Sequence, residues 1–328
     1  MAKTAVVILN YNGKGYLEKF LPSVINHSAA AEIIIADNAS TDDSLSFLST
    51  QYPDIRQIVL KKNLGYAGGY NEALKQIDSD FFVLLNSDVE VTSGWLDPME
   101  SFLNANSSYA ACQPKIKDFT HQSLFEYAGA CGGYIDSLGY PFCRGRIFDE
   151  LEIDSGQYNN PEDIFWASGA CLMIRKTAFE KVGGFDADFF AHMEEIDLCW
   201  RLHSIDLKVK SIPSSVVYHV GGGTLDKSST FKTYLNFRNG LFLLIKNLPL
   251  GKLIYKLPIR VALDWVAVLK FILEGKVKHG LAVLKAHLSA FLRMPRMYGK
   301  RRKLYNPPDS RSIILSFFLR NKRKFSDL

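Results

Sequence analysis

Cysteine is scarce in this sequence, and long apolar runs are missing. The five cysteines are an odd number in a chain of 328 residues, and none stands in a CxxC pair. This pattern argues against a disulfide framework and against a zinc ribbon, and no cleavable secretory signal opens the chain. No stretch of about 18 uncharged apolar residues occurs, which argues against a membrane-spanning helix. We therefore predict a cytoplasmic protein.

The glycine pattern of dinucleotide-binding enzymes is absent as well. After the first apolar run the sequence reads Asn10-Tyr11-Asn12-Gly13, where a dinucleotide-dependent oxidoreductase would need GxGxxG. A sugar nucleotidyltransferase usually carries a Gly-rich basic loop at this place, and none is present. That class stays open as an alternative, together with a catalytically silent module that binds sugars or nucleotides.

Charge is unevenly distributed, although the overall composition of 47% apolar and 22% charged residues is that of an ordinary folded protein. From Phe231 onward there are 21 Lys and Arg against 4 Asp and Glu, whereas the first 230 residues have 18 against 30. A basic segment of this kind favours an anionic partner, either a membrane surface or nucleic acid. We predict two units, residues 1–228 and a basic amphipathic helical extension over residues 229–328.

Short β-branched runs alternate with helical patterns over the first 90 residues. The predicted order is strand Ala5–Leu9, helix Tyr16–Ile25, strand Ile33–Ala36, helix Ser44–Leu48, strand Ile55–Leu60, helix Tyr70–Ile77 and strand Phe81–Leu85. This alternation is typical of an α/β fold whose mostly parallel sheet is flanked by helices. Residues 116–163 look irregular, and regular patterns return at Ile164–Ile174, at a helix near His192–His203 and at the strand Val216–Val220.

Polar residues follow three of the predicted strands. They are Asn10 to Gly13 after the first strand, Asp37-Asn38-Ala39-Ser40 after the second and Asn86-Ser87-Asp88 after the fourth. Because ligands of parallel sheets bind beyond the carboxyl ends of the strands, we expect these side chains to share one crevice. The third strand leads to the Gly-rich loop Lys62-Asn63-Leu64-Gly65-Tyr66-Ala67-Gly68-Gly69, which opens a helix and whose backbone amides are suited to face a phosphate.

Asp88 is the candidate ligand for a divalent cation. A carboxylate after an apolar strand can coordinate Mg²⁺ or Mn²⁺ and leave positions for a diphosphate. A common pattern has two acids here, but Asn86 stands in place of the first. His219 is the candidate replacement, and a structural role for this histidine is the alternative. Asp37 suits an orienting contact to a base or a ribose, or else a helix N-cap or turn.

An acidic cluster, Glu194-Glu195-Ile196-Asp197, begins the helix predicted near residue 192. Arg201 lies four residues beyond Asp197, which predicts an ion pair along the helix. Glu194 and Glu195 are not needed for this ion pair and are available for catalysis or binding. Glu195 is the candidate general base that takes a proton from an acceptor hydroxyl. A solvated helix face is the alternative.

The basic extension has two interpretations. From Thr230 to about Leu292 the pattern is helical, with breaks at Pro249, Pro258 and Pro295. Such helices can lie in an anionic membrane interface, where a lipid-linked acceptor would be found, on the inner face of the cytoplasmic membrane. They can equally pack on the rest of the chain or on a second subunit and form a homo-oligomer. Nucleic-acid binding is disfavoured because no recognised module accompanies the charge.

The motifs resemble those of the family 2 inverting glycosyltransferases, and most of all bacterial rhamnosyltransferase-like enzymes of polysaccharide assembly. The segments that carry the resemblance, in matching order and spacing over about residues 4–225, are Val6-Val7-Ile8-Leu9-Asn10-Tyr11-Asn12, Asp37-Asn38-Ala39-Ser40, Asn63-Leu64-Gly65 with Asn71, Asn86-Ser87-Asp88 and Glu194-Glu195-Ile196-Asp197-Leu198. The resemblance implies a GT-A fold, a nucleoside-diphosphate sugar donor, a glycan or lipid-linked acceptor, in-line displacement with inversion, and a divalent cation.

The resemblance also assigns roles to residues. It implies that Glu195, at a position where Asp is usual, is the catalytic base, and that Asp88 and His219 bind the metal. The nucleotide-binding residues are then Asn10, Asn12, Asp37, Asn38, Asn63, Gly65 and Asn71. The residues around the donor sugar and the acceptor are Asn86, Ser87, Trp166, Gly169, Ala170 and Glu194. The Trp166 ring is suited to stack on a sugar face.

Overall fold

The computed structural model describes residues 3–221, 229–307 and 311–328. In these ranges the strands are β1 (Thr4–Asn10), β2 (Glu32–Asp37), β3 (Arg56–Val59), β4 (Phe81–Asn86), β5 (Val89–Val91), β6 (Tyr109–Asp118), β7 (Gly133–Ile135), β8 (Pro141–Cys143), β9 (Arg146–Ile147), β10 (Glu150–Leu151), β11 (Glu162–Ile164), β12 (Cys171–Arg175) and β13 (Lys208–His219). The helices are α1 (Lys14–His27), α2 (Ser44–Gln51), α3 (Gly65–Leu74), α4 (Asp97–Ala105), α5 (Lys176–Lys181), α6 (Glu194–His203), α7 (Thr230–Asn247), α8 (Leu250–Leu273), α9 (Val277–Leu292) and α10 (Met294–Gly299).

The first four strands form the parallel part of the main sheet. β1 lies between β2 and β4, and β3 extends the sheet beyond β2. Ala5 and Val7 of β1 face the apolar layer that includes α3, α5, α6 and α7, whereas Val6 and Ile8 face the layer that includes α1, α2 and α4. Because both faces are covered, these strands read as continuous apolar runs. The predicted α/β fold with helices on both sides of the sheet is confirmed.

Beyond β4 the main sheet continues with β12, β6, β13 and β11, and β5 pairs with β13. β12 runs antiparallel to both of its neighbours. β13 begins at Lys208 rather than at the predicted Val216. A register shift between Ile212 and Val216 interrupts its pairing with β6, and Pro213 in that interval hides the strand pattern in the sequence.

Residues 116–163, which look irregular in sequence, contain a second sheet. Among the described residues, β7, β8, β9 and β10 pair in succession as antiparallel neighbours. Each strand is two or three residues long, too short for an alternating pattern to appear in the sequence. Gly133 of β7 forms a bridge with Trp166, so this sheet covers the segment that leads into β12.

The basic C-terminal helices pack on the main sheet layer and on each other. α7 buries Leu241 to Ile245 in the same apolar layer as α6, and α9 contacts both α7 and α8. Pro249 separates α7 from α8, and Pro295 lies in the first turn of α10. Pro258 lies inside the continuous helix α8, so the predicted break there is wrong. The helix loses one backbone hydrogen bond at this point, and the packing of α8 on α9 offsets that loss.

The predicted boundary at residue 228 falls in residues 222–228, outside the described residues, and the division into two units stays a prediction. In the ranges that are described, no helix is both long enough and apolar enough to cross a membrane. All five cysteines are buried and free.

Candidate active site

A cavity of about 400 Å³ opens at the carboxyl edge of the parallel strands. Its walls come from the strand ends, the Gly-rich loop, the segment before β12, the turn before α6 and the start of α7. Of the predicted site residues, those that line it are Asn38, Asn63, Gly65, Asn86, Ser87, Asp88, Gly169, Ala170, Glu194, Glu195 and His219. The predicted residues outside the lining are Asn10, Asn12, Asp37, Asn71 and Trp166. The ends of β1, β2 and β4 therefore meet in one crevice, but some of their side chains support it from behind.

Asn10 and Asp37 are completely buried next to the cavity. The Asp37 carboxylate accepts hydrogen bonds from Asn10 Nδ2 (3.0 Å) and from the Ser40 backbone amide (2.8 Å). Gly13 is required at the adjoining turn because a Cβ there would lie 2.5 Å from Asn10 Oδ1. These two predicted nucleotide-binding residues thus form a hydrogen-bonded frame beneath the ends of β1 and β2.

Asn12 and Asn71 also stabilise loops in this structure. Asn12 is exposed with a left-handed backbone (φ 51°), and its Oδ1 accepts a hydrogen bond from the Thr41 amide at 2.7 Å. Asn71 donates to the Phe185 carbonyl (2.8 Å) and accepts from the Phe185 amide (2.9 Å), which ties α3 to the segment before α6. A nucleotide contact at either residue stays a prediction.

The Gly-rich loop is closed by side chains. Asn38 Oδ1 accepts from the Leu64 amide (3.0 Å), and Asn63 Oδ1 accepts from the Gly65 amide (2.8 Å). These two amides are therefore paired within the protein, and the expectation that backbone amides of the loop from Lys62 to Gly69 face a phosphate stays a prediction. Gly65 has φ +69°, and a Cβ there would lie 2.5 Å from the Phe190 carbonyl oxygen. Glycine is required at this point because two walls of the cavity touch here.

Gly169 and Ala170 lie where a side chain from α3 crosses the cavity. The Tyr66 hydroxyl donates to the Gly169 carbonyl at 2.7 Å, and a Cβ on Gly169 would lie 2.8 Å from that hydroxyl oxygen. The small residues predicted for close approach thus make room for Tyr66. The sequence indicated the small residues but not the tyrosine that meets them.

Trp166 does not reach the cavity. Its side chain is 3% exposed, and its Nε1 donates to the Tyr134 carbonyl at 2.8 Å. The ring lies so close to Gly133 that a Cβ there would come within 2.0 Å of it. The predicted stacking on a sugar is therefore wrong, because the second sheet, whose strands are too short to detect in the sequence, covers this ring.

Asp88, His219 and Glu126 form a buried row at one end of the cavity. His219 Nε2 lies 3.1 Å from Asp88 Oδ1, and His219 Nδ1 lies 3.2 Å from Glu126 Oε1. Burial by itself would lower the pKa of His219, but the two carboxylates raise it to about 10. Asn86 Nδ2 lies 3.4 Å from the same Nε2 atom. Such a pKa favours the protonated imidazole between the two carboxylates, and a divalent cation at Nε2 would have to displace that proton.

Asp88 and His219 have the right chemistry for two ligands of a divalent cation, a carboxylate oxygen and an imidazole nitrogen. Glu126 contacts the other ring nitrogen, and such a carboxylate fixes the tautomer and the orientation of a metal-binding histidine. Among the described residues there is no group of three or more His, Cys, Asp or Glu side chains arranged to hold a metal. The diphosphate of a bound donor would have to complete the coordination. Sequence reasoning missed Glu126 because it lies in the stretch without a periodic pattern.

Glu194 and Glu195 begin α6 and line another part of the cavity. Glu194 is 4% exposed, and the Oε2 atoms of both residues are buried without a hydrogen-bond partner among the described residues. Burial and the neighbouring Glu195 carboxylate hold the pKa of Glu194 well above its usual range. Burial raises the pKa of Glu195 to about 7. A carboxyl group with a strongly raised pKa beside one that ionises near neutral pH is suited to proton transfer.

Asp197 points away from the cavity toward α7. Its Oδ2 accepts from Arg201 Nε and from Lys246 Nζ, both at 2.8 Å, and its Oδ1 accepts from Asn247 Nδ2 at 3.0 Å. The predicted ion pair with Arg201 is confirmed, and the alternative of a solvated helix face is wrong because Glu194 and Asp197 are buried. Burial by itself would raise the pKa of Asp197, but the two cations hold it well below its usual range.

The turn before α6 has a strained backbone. Phe190 (φ 66°), His192 (φ 67°) and Met193 (φ 72°) are left-handed. Each such residue costs on the order of 1–3 kcal/mol and persists only where its surroundings enforce it. Asn239 of α7 provides that support, because its Nδ2 lies 2.9 Å from the Phe189 carbonyl oxygen and 2.7 Å from that of His192. The completely buried Asn239 therefore shapes the approach to the two glutamates.

The start of α7 also lines the cavity, through Phe231 and Lys232. Opposite them in the lining is His192, whose Nε2 is buried and without a partner in the described ranges. Burial and the nearby Lys232 lower the pKa of His192 to about 4, so its imidazole is neutral at pH 7. Sequence reasoning missed these three residues because the charge pattern assigned α7 to an extension away from the site.

Solved structures share this architecture. A structure of Staphylococcus aureus TarS, residues 1–349, in complex with UDP-GlcNAc matches with a TM-score of 0.58 at 15% identity and covers 91% of this chain and 84% of that chain. The mannosyltransferase PcManGT from Pyrobaculum calidifontis in complex with GDP-Man and Mn²⁺ matches with a TM-score of 0.54 at 12% identity and covers 88% of this chain and 87% of that chain. The predicted GT-A-type fold is confirmed.

Sequence comparison shows the family. The N-acetylglucosaminyl-diphospho-decaprenol L-rhamnosyltransferase of Mycobacterium tuberculosis is 27% identical over 229 residues, which cover 65% of this chain and 75% of that protein. Residues 5–183 match the family described as Glycosyl transferase family 2. Because this match covers more than half of the chain, the protein belongs to Glycosyl transferase family 2 and is a glycosyltransferase.

Proposed function

We propose that the protein transfers a sugar from a nucleoside-diphosphate sugar to a hydroxyl group of a glycan or lipid-linked acceptor, with inversion, in the assembly of a polysaccharide. The observation that carries the proposal is the Glu195 carboxylate, which lines the cavity with a buried, unpartnered oxygen and a pKa of about 7. The relative from Mycobacterium tuberculosis is named as a rhamnosyltransferase of a diphospho-decaprenol substrate, which supports rhamnose as the first sugar to test.

The strand-end wall is the proposed donor-binding side. Asn38 and Asn63 present polar side chains to the cavity, and Asn86 and Ser87 follow them at the end of β4. Asn38 and Asn63 are held by bonds to each other and to backbone, so little ordering of these two side chains is needed when a nucleotide binds. The pre-formed wall suits recognition of a rigid ring and its ribose.

Asp88 and His219 are the proposed ligands of a Mg²⁺ or Mn²⁺ ion beside the donor diphosphate. Such an ion would neutralise charge on the leaving group. Glu126 holds the far nitrogen of His219, so that Nε2 faces Asp88 and not the protein interior. Asn86, where an acid is common in this family, contributes an amide next to the same nitrogen and no charge.

In the proposed reaction Glu195 accepts the proton of the acceptor hydroxyl as its oxygen forms a bond to the anomeric carbon. The bond from that carbon to the diphosphate oxygen breaks on the opposite face, and the nucleoside diphosphate leaves with the electron pair. The anomeric configuration is therefore inverted. Burial and the Glu195 carboxylate hold the pKa of Glu194 well above its usual range, and in its protonated form Glu194 can donate a hydrogen bond to a sugar oxygen.

Replacing Glu195 tests the proposal. We expect Glu195→Gln to lower the rate of sugar transfer by about 10²- to 10⁴-fold, the usual loss for a general base. The wild-type kcat/KM is expected to rise with pH through about 7, because the base must be ionised, and the variant is expected to lose this limb. Transfer is measured with a panel of nucleoside-diphosphate sugars at several pH values.

Exposed Glu180 on α5 provides the matched control. Glu180→Gln changes the same functional group away from the cavity and is expected to leave transfer and its pH dependence unchanged. Donor binding, followed by thermal shift with Mn²⁺, is expected to persist in both variants. Full transfer by a folded Glu195→Gln protein would exclude Glu195 as the base, and donor binding without transfer by the wild type would identify a silent module.

A further inference from the structure

Helix α8 turns two of its charged side chains, Arg260 and Asp264, inward, whereas Lys270 stays exposed. Arg260 is 4% exposed and Asp264 is 1% exposed, and they are joined by a bond of 3.0 Å from Arg260 Nε to Asp264 Oδ1. Asp264 also contacts His287 Nε2 of α9 (3.2 Å) and the Tyr140 hydroxyl (3.1 Å). A polar network thus fixes α8 to α9 and to the turn before β8. A surface helix in water usually turns its polar side chains outward, so the inward Arg260–Asp264 pair is the opposite of the usual amphipathic arrangement.

The outward face of α8 is apolar. Apart from Leu250 at its first position, its large exposed side chains, between 45% and 88% exposed, are Ile254, Tyr255, Ile259, Trp265, Val266, Leu269, Ile272 and Leu273. At 100° per residue they fall in one stripe of about 140° along a helix of 24 residues, about 36 Å long. No part of the chain that the structure describes covers this stripe. An apolar surface of this length marks an interaction site.

Helix α9 adds a second exposed face in which leucines alternate with lysines. Lys278, Leu281, Lys285, Leu288 and Leu292 are all exposed and follow one another at intervals of three or four residues. A lysine stem can lie along apolar surface while its ammonium group reaches an anion. The combination of leucine and lysine on one face therefore suits a boundary between an apolar phase and a negatively charged one.

We propose that the outward face of α8 and α9, here called the interfacial face, docks on an anionic lipid surface. Charge complementarity selects this occupant, since the chain from Phe231 onward has 21 Lys and Arg against 4 Asp and Glu. A second copy in a symmetric dimer would bring the same lysines together across the two-fold axis and repel them. Tyr255 and Trp265, which have an apolar ring and a polar edge, are suited to the headgroup layer.

The interfacial face lies close to the mouth of the cavity. Thr233 Oγ1 in the first turn of α7 is 2.8 Å from His279 Nδ1 in the first turn of α9, and the neighbouring Phe231 and Lys232 line the cavity. Docking would therefore bring the cavity to the lipid surface, where a lipid-linked acceptor could enter. This last step rests on the proposed function, whereas the docking itself does not.

Trp265 supplies a direct reporter of docking. It is 51% exposed, and the other three tryptophans, Trp95, Trp166 and Trp200, are at most 3% exposed. Vesicles of equimolar phosphatidylcholine and phosphatidylglycerol are expected to shift the emission to the blue and to protect it from acrylamide. Trp265→Phe is expected to remove both effects without preventing flotation of the protein with the vesicles. An emission that does not respond while the wild type floats would show that another surface docks.

Flotation with the same vesicles tests the face itself. The variant Val266→Ser/Leu269→Ser/Leu273→Ser removes three exposed apolar groups and is expected to weaken vesicle binding at least about tenfold. The matched control Val59→Ser/Ile153→Ser removes exposed apolar groups of 55% and 63% exposure elsewhere and is expected to bind as the wild type does. Lys278→Gln/Lys285→Gln is expected to weaken binding about fivefold for each charge removed, and added salt is expected to weaken the wild type.

Several results would overturn the proposal. These are equal binding to pure phosphatidylcholine vesicles, unchanged binding by the triple serine variant, and a concentration-dependent dimer that the triple variant abolishes, which would assign the face to a second copy. Donor-induced thermal shift and transfer to a water-soluble acceptor are expected to be normal in the triple variant. A failure of docking is therefore distinguishable from a failure of the proposed function, which Glu195→Gln reports.

Discussion

Two walls of the cavity are built in different ways. On the wall formed by the strand ends Asn38 donates to Asn63, and behind that wall Asn10 donates to Asp37, although Asn10 Oδ1 is buried without a partner among the described residues. On the wall formed by the turn before α6, three non-glycine residues are left-handed, and both glutamates have a buried oxygen without a partner in the described residues. The first wall is pre-organised for binding. The second has a strained backbone and carboxylate oxygens without hydrogen-bond partners in the part of the chain that is described, next to the proposed catalytic base Glu195.

The second wall depends on a helix from the basic part of the chain. Arg238 and Asn239 of α7 donate to carbonyl groups of the turn, and Lys246 and Asn247 of the same helix donate to Asp197 of α6. Among the described residues, the hydrogen bonds given above for the strand-end wall run between β1, β2 and the Gly-rich loop and do not involve α7. Changes in α7 should therefore affect the two walls unequally.

The largest loss of stability is expected at the ion pair that joins α6 to α7, between Asp197 and Lys246. Asp197→Asn removes the carboxylate that faces Arg201 and Lys246, and we expect the free energy of unfolding to fall by about 3–5 kcal/mol, the usual cost of leaving a buried cation without its partner. The measurement is denaturant unfolding at neutral pH. Asp163→Asn is the matched control, because Asp163 pairs with Lys210 at a side chain that is 46% exposed. There we expect a loss of about 0–1 kcal/mol.

The pH dependence of this loss has a definite sign. The pKa of Asp197 is held below its value in the unfolded chain, so its contribution is present above about pH 4 and is lost as the pH falls further. The difference between wild type and Asp197→Asn is therefore expected to narrow on acidification. A difference that stays constant down to pH 2, or equal losses for Asp197→Asn and Asp163→Asn, would contradict the assigned network.

A smaller but more specific effect is expected at Asn239. Asn239→Ala removes the donor that holds the left-handed turn, and we expect kcat to fall by about 10- to 100-fold, as misplacement of a catalytic group by about 1 Å can do. The KM for the donor is expected to change little because the strand-end wall is untouched. Relaxation of the turn would also expose Glu195 to water, so the acidic limb of the pH profile should move below 7.

The pH at which the acidic limb of the rate profile lies distinguishes two roles of Asn239. A residue that positions Glu195 shifts this limb when it is replaced, whereas a residue that only stabilises the fold does not. Asn106→Ala is the matched control, because Asn106 Nδ2 likewise donates to a backbone carbonyl, that of Phe102, at 2.8 Å, and Asn106 is not among the residues that line the cavity. It is expected to lower stability without moving the limb. An Asn239→Ala protein with normal kcat, or with an unchanged limb, would show that α7 does not tune Glu195.

The comparison of walls also explains which features could be predicted from the sequence. The strand-end wall follows from the order of elements, because residues after parallel strands must meet at one edge of a sheet, and Asp88 and Asn38 were found in this way. The fold of the first 86 residues followed from apolar periodicity. His219 was found because it ends a recognisable strand, and the structure places it 3.1 Å from Asp88.

The second wall could be predicted only in part. Glu194 and Glu195 stand out as an acidic cluster in the sequence. The left-handed turn before them could not be predicted, because Phe190 and His192 are not glycines, the residue type that usually indicates a positive φ. Its support comes from Asn239, and no local pattern connects residues so far apart in the chain. The prediction for Trp166 failed for a related reason, since the sheet that covers its ring is made of strands too short to show an alternating apolar pattern.

The smallest effect is expected on the strand-end wall at Asn12. Asn12→Ala removes a hydrogen bond to the Thr41 amide and puts alanine at φ 51°, and we expect a loss of about 1 kcal/mol in unfolding free energy with kcat unchanged. Asn12→Gly also removes the hydrogen bond, but glycine adopts a positive φ without strain. Its loss of unfolding free energy should therefore be smaller and should report the hydrogen bond alone. If both variants instead lost donor affinity by more than about tenfold, equivalent to about 1.4 kcal/mol, the Asn12 side chain would contact the nucleotide directly. The strand-end wall would then be shaped by its ligand and not pre-formed, and the contrast between the two walls would fail.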